Sequence, residues 1–401
     1  VASWDSLPAA LIPLSVVLDG SITLDRFVPA LSEGLGVPPY YVIEKDSHFY
    51  SIYPVAQPVL LSPLYAPFRL LRAARPETLI LAARVTEKLL AGAIAAASVA
   101  LLYLLLARLG PRALPATLLY AFATPVWSTA GQALWQHTGG VLLHVLTLLA
   151  LERGRFGLAG AWSGLAVAVR PTNALIALAV ACHARKASFL PGPIVCGILA
   201  AAYNVWLFGD MRGGYAWSPL VWDAREAIAG VLVSPSRGLF VYSPVLLGSV
   251  AGAWLGRGRP LVSLSAWCAL AHLAVICLWH AWWGGAAWGP RLTTEMMPFL
   301  AVLMLPALEF LWWRRSAAVL FVWSAAMQFI GAFCYPRGGW DTAPVEVGQR
   351  PERLWDWRDN PIRRTVAGGL VLEPHQVAWE AIVRGPAAAR RKMDELSLRG
   401  F

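Results

Sequence analysis

Long apolar runs separated by short basic turns dominate the chain. Runs of helical length occur at 79–108, 113–131, 133–151, 189–208, 239–256, 260–279, 297–313 and 316–333. Several lie near the lower limit of about 17 residues for a membrane-crossing helix. These eight read as membrane spans. The run 157–184 differs, because AVRPTNA puts Arg170, Pro171 and Asn173 in its middle; it is either one span or a hairpin of two short helices. Charge arbitrates, since Lys and Arg in short loops set orientation. With a hairpin, the turns RLGPR, ERGR, HARK, GRGR and WWRR fall on one side and gather ten basic residues: Arg108, Arg112, Arg153, Arg155, Arg185, Lys186, Arg257, Arg259, Arg314 and Arg315. A single span would scatter them over both faces. The hairpin gives about ten membrane segments. Its arms of about 13 residues supply about 20 Å of helix against a core of about 30 Å. The tip at Arg170 is therefore expected below the outer surface, in a cavity open to the outside.

An even number of segments puts both ends of the chain outside. Residues 1–78 form a first outer loop with juxtamembrane helices, 79–333 a transmembrane bundle, and 334–401 an extracytoplasmic or interfacial tail. Composition agrees with an all-α integral membrane protein: 58% of the 401 residues are hydrophobic and 14% charged, against roughly 25% charged in soluble domains. Mean hydropathy is +0.56. Twenty tryptophans suit many membrane boundaries. The net charge of +10 maps onto turns between spans and does not signal nucleic acid. The five cysteines lie in or beside apolar runs without CxxC spacing, so no disulfide framework and no metal site are expected. There is no GxGxxG, P-loop or DxD. The chain opens at Val1 in polar, turn-rich sequence without a cleavable signal peptide, and an upstream segment is expected to be missing.

The outer loops carry the candidate chemistry. In HAWWGGAAWGPRLTTEMMPF, Arg291 and Glu295 are spaced i,i+4; they read as an interfacial ion pair at a helix start, or as part of a headgroup site in which glycines admit the ligand and Arg291 meets a phosphate. Arg237 in LVSPSRGLFVYSP precedes a span, where a helix N-terminus and a guanidinium would share an anion. Arg170 is the third outward arginine, and a charge at membrane depth is costly enough to suggest a role. His137, in AGQALWQHTGG, is a hydrogen-bonded structural residue, a proton shuttle or a ligand. Asp5, in SWDSLPAAL, either caps the following helix or acts as general base toward an acceptor hydroxyl. EKDSHFYSIYPVAQP leads into a proline-broken apolar stretch with Arg69, Arg72 and Arg75, read as a helix lying on the outer surface.

The succession Asp5-Ser-Leu-Pro, FYSIYPVAQP, TPVWSTAGQALWQHTGG, AVRPTN, YNVWLFGD, SPSRGLFVYSPVLL, WWGGAAWGPRLTTEMMPF and RLWDWRD resembles bacterial membrane glycosyltransferases of the GT-C superfamily. The similarity is to the protein O-mannosyltransferase and lipid A aminoarabinose transferase type, and it covers almost the whole chain in order. It implies a multi-span bundle in the bacterial cytoplasmic membrane, with a polyprenyl-phosphate-linked sugar as donor and transfer on the outer face. Asp5 matches the acidic residue of the family's first outer loop, directly after the family's first transmembrane helix, which on this resemblance is expected upstream of Val1. The family often pairs two acids there; Asp5 stands alone, which leaves use of a divalent cation open. On this reading Asp5 is the catalytic residue, Arg237 and Arg291 hold the leaving phosphate, and His137, Gln136, Arg170, Tyr53 and Glu295 complete the substrate site. The acceptor is a protein, lipid or glycan hydroxyl, and no other cofactor is implied. A polysaccharide ligase or polymerase, and a transporter or flippase of lipid-linked sugars, are the competing readings.

Overall fold

The computed structural model describes residues 4–33, 37–215, 224–335, 339–369 and, in the tail, 379–380, 383–385, 387–388 and 391–392. It is mostly helical, as the apolar runs require. Among the described residues five helices are long and apolar enough to cross a membrane: Pro76–Leu109, Ala187–Phe208, Pro260–Leu278, Arg291–Leu308 and Leu311–Phe333. Proline stands in the first turn of the helices beginning at Pro76, Pro191 and Pro260, where its missing N–H has no helical partner to lose. The remaining expected spans are shorter or broken. Ser243-Pro244 divides 239–256 into Leu239–Tyr242, a 3-10 turn and Leu247–Leu255, because proline cannot donate and pushes Ser243 out of helical geometry. Pro125 similarly ends Ala113–Phe122 in a π-turn over Val126–Ala130.

Burial sorts the long helices by role. Of the most apolar part of Arg291–Leu308, 94% is buried, which makes it the bundle's central helix. Only 11% of the corresponding part of Ala187–Phe208 is buried. That helix shows Ile194, Val195, Ile198 and Leu199 outward, a face suited to lipid rather than water.

Residues 157–184 form a hairpin. Phe156–Val169 ends at an extended Arg170, and Ala174–Ala184 begins after a 3-10 turn. The chain then returns: a Cβ on Gly160 would sit 2.0 Å from the Phe189 carbonyl oxygen, and one on Gly164 2.3 Å from that of Gly192. A straight continuation would separate residues 160 and 189 by about 43 Å. Gly160, Gly164 and Gly192 thus let two helix backbones touch, the GxxxG solution for packing in lipid.

The basic turns meet at one end of the bundle. Arg108 donates to Glu152 at 2.6 Å, Lys186 lies 5.8 Å from the Phe156 ring centroid, and Arg259 donates to Glu309 at 2.9 Å. The opposite end is built from the loops. Helix Leu7–Asp19 is buried beneath the 3-10 stretch Ser62–Leu71, which exposes Leu64 and Leu70 beside Arg69 as an amphipathic surface element should. A β-hairpin that the all-α expectation does not contain pairs Val42–Lys45 with His48–Ser51 through an Asp46-Ser47 turn. Both turn residues take positive φ, as a two-residue hairpin turn of this hand requires. The segment 339–369 packs onto this end: Ser234 Oγ donates to the Leu354 carbonyl at 2.6 Å, and the rings of Trp282 and Trp355 lie 6.4 Å apart.

Candidate functional site

The loop end holds two carboxylate–arginine pairs on either side of one 3-10 segment, Arg291–Met296. At its start, Arg291 donates to Asp5 at 3.2 Å across a sequence separation of 286 residues. The capping reading of Asp5 gives way to this contact, since the cap position of helix Leu7–Asp19 falls on Ser6. Tyr53 also donates to Asp5, at 3.0 Å, and Tyr40 donates to the same carboxylate oxygen. The guanidinium stacks 4.4 Å from the Trp135 ring centroid and donates to the Gly284 carbonyl. Its Nε–H is buried and has no partner among the described residues. The pair is only partly enclosed, Asp5 keeping 26% of its side chain exposed and Arg291 11%. Burial alone would raise the Asp5 carboxyl. Arg291 and the two phenols outweigh it and hold the group below the ordinary carboxylate range.

Four residues further on, Glu295 is fully buried and belongs to a different cluster. Its Oε1 accepts from Asn173 Nδ2 at 2.8 Å, and its Oε2 accepts from Arg170 and lies 3.2 Å from His137 Nδ1. His137 Nδ1 is also 3.0 Å from Arg170. A bare Nδ1 accepts from the guanidinium and a protonated one donates to the carboxylate, so the tautomer selects one of the two bonds. Asn173 extends the network to His144 at 3.3 Å. Below it, His272 Nε2 lies 3.0 Å from the Leu292 carbonyl oxygen, and its Nδ1 is buried without a partner among the described residues.

Arg291 and Glu295 therefore do not pair with each other. In a 3-10 helix residues three apart are eclipsed and residues four apart diverge, so each side chain reaches its own partner. The cavity expected around Arg170 is likewise replaced by protein: the residue is 7% exposed and Glu295 meets it at the hairpin tip.

Arg237 takes a third position. It is 1% exposed, donates to the carbonyls of Ser236, Trp283 and Gly285 at 2.9, 3.1 and 3.0 Å, and pairs with Asp341, which Tyr335 also bonds. Its guanidinium lies 5.4 Å from the Trp340 ring centroid. It is thus engaged by protein on every side described and braces the 283–285 loop whose Gly284 carbonyl holds Arg291. Gln136 begins the helix Gln136–Glu152, next to Trp135.

Several residues that hold the site escape the sequence reading. Gln57 donates to the carbonyls of Leu134 and Trp135 at 3.0 and 3.1 Å and accepts from the Gly139 N–H at 2.9 Å, which locks the turn presenting Trp135 and His137. Gly140 lets Glu295 approach, since a Cβ there would sit 2.1 Å from Oε1. Glu87 accepts from Arg84 at 3.0 Å and from the Leu134 N–H at 3.1 Å, while Lys88 donates to Gln132. Their signal is the RVTEK cluster inside an otherwise apolar 34-residue helix. Among the described residues no three His, Cys, Asp or Glu side chains assemble as a metal-ligand set.

Comparison with protein-family models, with curated proteins and with solved structures finds no match to this chain.

Proposed function

We propose that the chain is a membrane glycosyltransferase of the GT-C kind, moving a sugar from a polyprenyl-phosphate donor to an acceptor hydroxyl on the extracytoplasmic face of a bacterial cytoplasmic membrane. The shorter apolar helices then complete a bundle of about ten membrane segments, with the basic turns inside and the Asp5–Arg291 pair outside. One observation carries the reading: a partly exposed cation with an unpartnered, buried Nε–H stands against a carboxylate and three aromatic side chains. That combination suits a phosphate beside a sugar, because the guanidinium takes the anion and the rings take the pyranose face. No nucleotide-binding motif competes with a lipid-borne donor.

In the reaction the acceptor oxygen attacks the anomeric carbon and loses its proton to Asp5. The bond from that carbon to the phosphate oxygen breaks, its electron pair leaves with the polyprenyl phosphate, and Arg291 stabilises the charge that develops there. One displacement inverts the anomeric configuration. With donor absent Asp5 is held by Arg291 and is a weak base; a phosphate that draws the guanidinium away restores its basicity. The Glu295 cluster lies behind this pair and sets its position through the 3-10 segment.

The test is release of polyprenyl phosphate by the purified chain from a panel of polyprenyl-phosphate sugars, mannose and aminoarabinose included. Wild type is expected to turn over at least one donor, and Asp5→Asn to lower that rate by about 10²–10⁴-fold. Equal rates in both remove Asp5 from the chemistry. Movement of intact lipid-linked sugar across vesicles, unaffected by Asp5→Asn, replaces the transferase by a transporter.

A further inference from the structure

The end of the bundle opposite the Asp5–Arg291 pair carries a cavity of about 410 Å³. It lies where the ends of Pro76–Leu109, Gln136–Glu152, the hairpin arms and Pro260–Leu278 converge, and Leu305 of the central helix lines it. Its walls are otherwise apolar, notably Leu109, Leu151, Phe156 and Leu261, and its polar side chains are Glu152, His183 and Arg259. Two facts give it a chemical identity. It lies at the ends of Pro76–Leu109 and Pro260–Leu278, both long and apolar enough to cross a membrane, and with these as spans it falls at headgroup level. The five turns at this end hold ten Lys and Arg against two carboxylates, Glu152 and Glu309.

Those carboxylates do not close the cavity to an anion. Glu152 is engaged by Arg108 at 2.6 Å. The Arg259–Glu309 pair at 2.9 Å is exposed on both sides, and such pairs exchange partners at little cost. Lys186, over the Phe156 ring at 5.8 Å, adds a second cation at the rim.

We infer that this cleft is a binding site for one anionic membrane phospholipid, its acyl chain against Leu109, Leu151, Phe156 and Leu261 and its phosphate between Arg259 and His183. The occupant follows from charge and shape together: a zwitterionic lipid brings an ammonium into a field of eight excess positive charges, and a soluble anion leaves the apolar walls unfilled. Bound there, the lipid ties the hairpin to the central bundle from the end remote from its Arg170 tip. The site stands independently of the transferase reading.

Native mass spectrometry of the full chain, delipidated in detergent and titrated with phosphatidylglycerol or phosphatidylcholine, tests it. One phosphatidylglycerol is expected to stay bound at about tenfold lower concentration than phosphatidylcholine. Arg259→Gln with His183→Gln is expected to weaken its retention about five- to tenfold. Both side chains are exposed, so the variant keeps its fold. Leu261→Trp fills the cleft without changing charge and is expected to give a similar loss. Arg315→Gln removes a basic residue of the same end that does not line the cleft, and is expected to leave retention within about twofold. Equal weakening by Arg315→Gln and Arg259→Gln would mean diffuse attraction and overturn the site. So would equal retention of phosphatidylcholine, undiminished retention in a folded Leu261→Trp, or equal thermal protection by inorganic phosphate.

Discussion

Two carboxylate–arginine pairs sit on either side of one 3-10 segment, and burial makes them different objects. Glu295 and Arg170 are enclosed, and the carboxylate accepts from Arg170 and Asn173 and lies 3.2 Å from His137 Nδ1. Asp5 and Arg291 form a looser pair at 3.2 Å, part exposed, with a guanidinium N–H left over. The inner pair would leave a bare charge in a low-dielectric interior if it opened, so it stays shut. The outer pair faces a medium that can solvate or replace either member, so it can exchange. Arg291–Met296 carries Arg291 of one pair and Glu295 of the other, which makes the inner pair the footing on which the outer one is placed.

The strongest way to break this comparison is to remove one inner charge. Glu295→Leu strands Arg170 and is expected to cost about 3–5 kcal/mol, read as a fall in thermal unfolding temperature in detergent. Glu295→Leu with Arg170→Met removes both charges and is expected to recover most of that loss. If the double variant is no better than the single one, the pair is not a coupled unit. Next in size is Gly140→Ala, whose methyl would meet the Glu295 carboxylate at 2.1 Å; crowding a packed interior costs about 1–3 kcal/mol. By contrast Asp5→Asn is expected to change stability by less than about 1 kcal/mol, because it removes a partly exposed pair. A stability loss in Asp5→Asn as large as in Glu295→Leu would make both pairs structural.

How much of this was legible in advance depends on which physical signal each feature leaves. Membrane helices announce themselves by composition, and the hairpin at Arg170 by a proline, an asparagine and the sidedness of the basic turns. Helix breaks at Pro125 and Pro244 were written in the sequence too, but hydropathy averaged over a window runs through a single proline. The β-hairpin was harder, because EKDSHFYS lacks an apolar alternation and its turn is made by Asp46 and Ser47 rather than by Asn-Gly. Asp5, Arg291, Arg170, His137 and Glu295 could be singled out by charge in apolar surroundings. Their partners could not. The i,i+4 spacing of Arg291 and Glu295 suggests a helical pair, and only the 3-10 geometry sends them apart. Arg237 shows the same limit: an arginine beside glycine and proline in an outer loop looks free for an anion, while Asp341, more than a hundred residues away, claims it. Gln57 left almost no signal, since one amide in an apolar stretch carries no spacing to read.

The smallest effect expected is a pH shift, and it separates the two pairs most cleanly. The Asp5 carboxyl lies below its ordinary value of 3.8 because Arg291 and two phenols outweigh burial. A depressed carboxylate adds stability at pH above the unfolded value, about 3.9, and loses it as pH falls through the lower folded value. In Arg291→Gln the carboxyl loses the charge that does most to lower it and moves up from its wild-type position, with burial still pushing it up and the two phenols still pulling it down. Wild type keeps the more depressed carboxyl and so gains more from its ionisation, and the variant loses ground to wild type as pH rises through the acid range where the two carboxyls titrate. Thermal unfolding of both proteins between about pH 3 and 7 reads the difference, which is expected to grow at the acid end of this range and to be level towards neutral pH. Curves that stay parallel would mean that Arg291 does not set the charge state of Asp5. On the proposed transferase mechanism, a donor phosphate would then draw the guanidinium away without making Asp5 a better base, and the proposed coupling between leaving group and base would have to lie elsewhere.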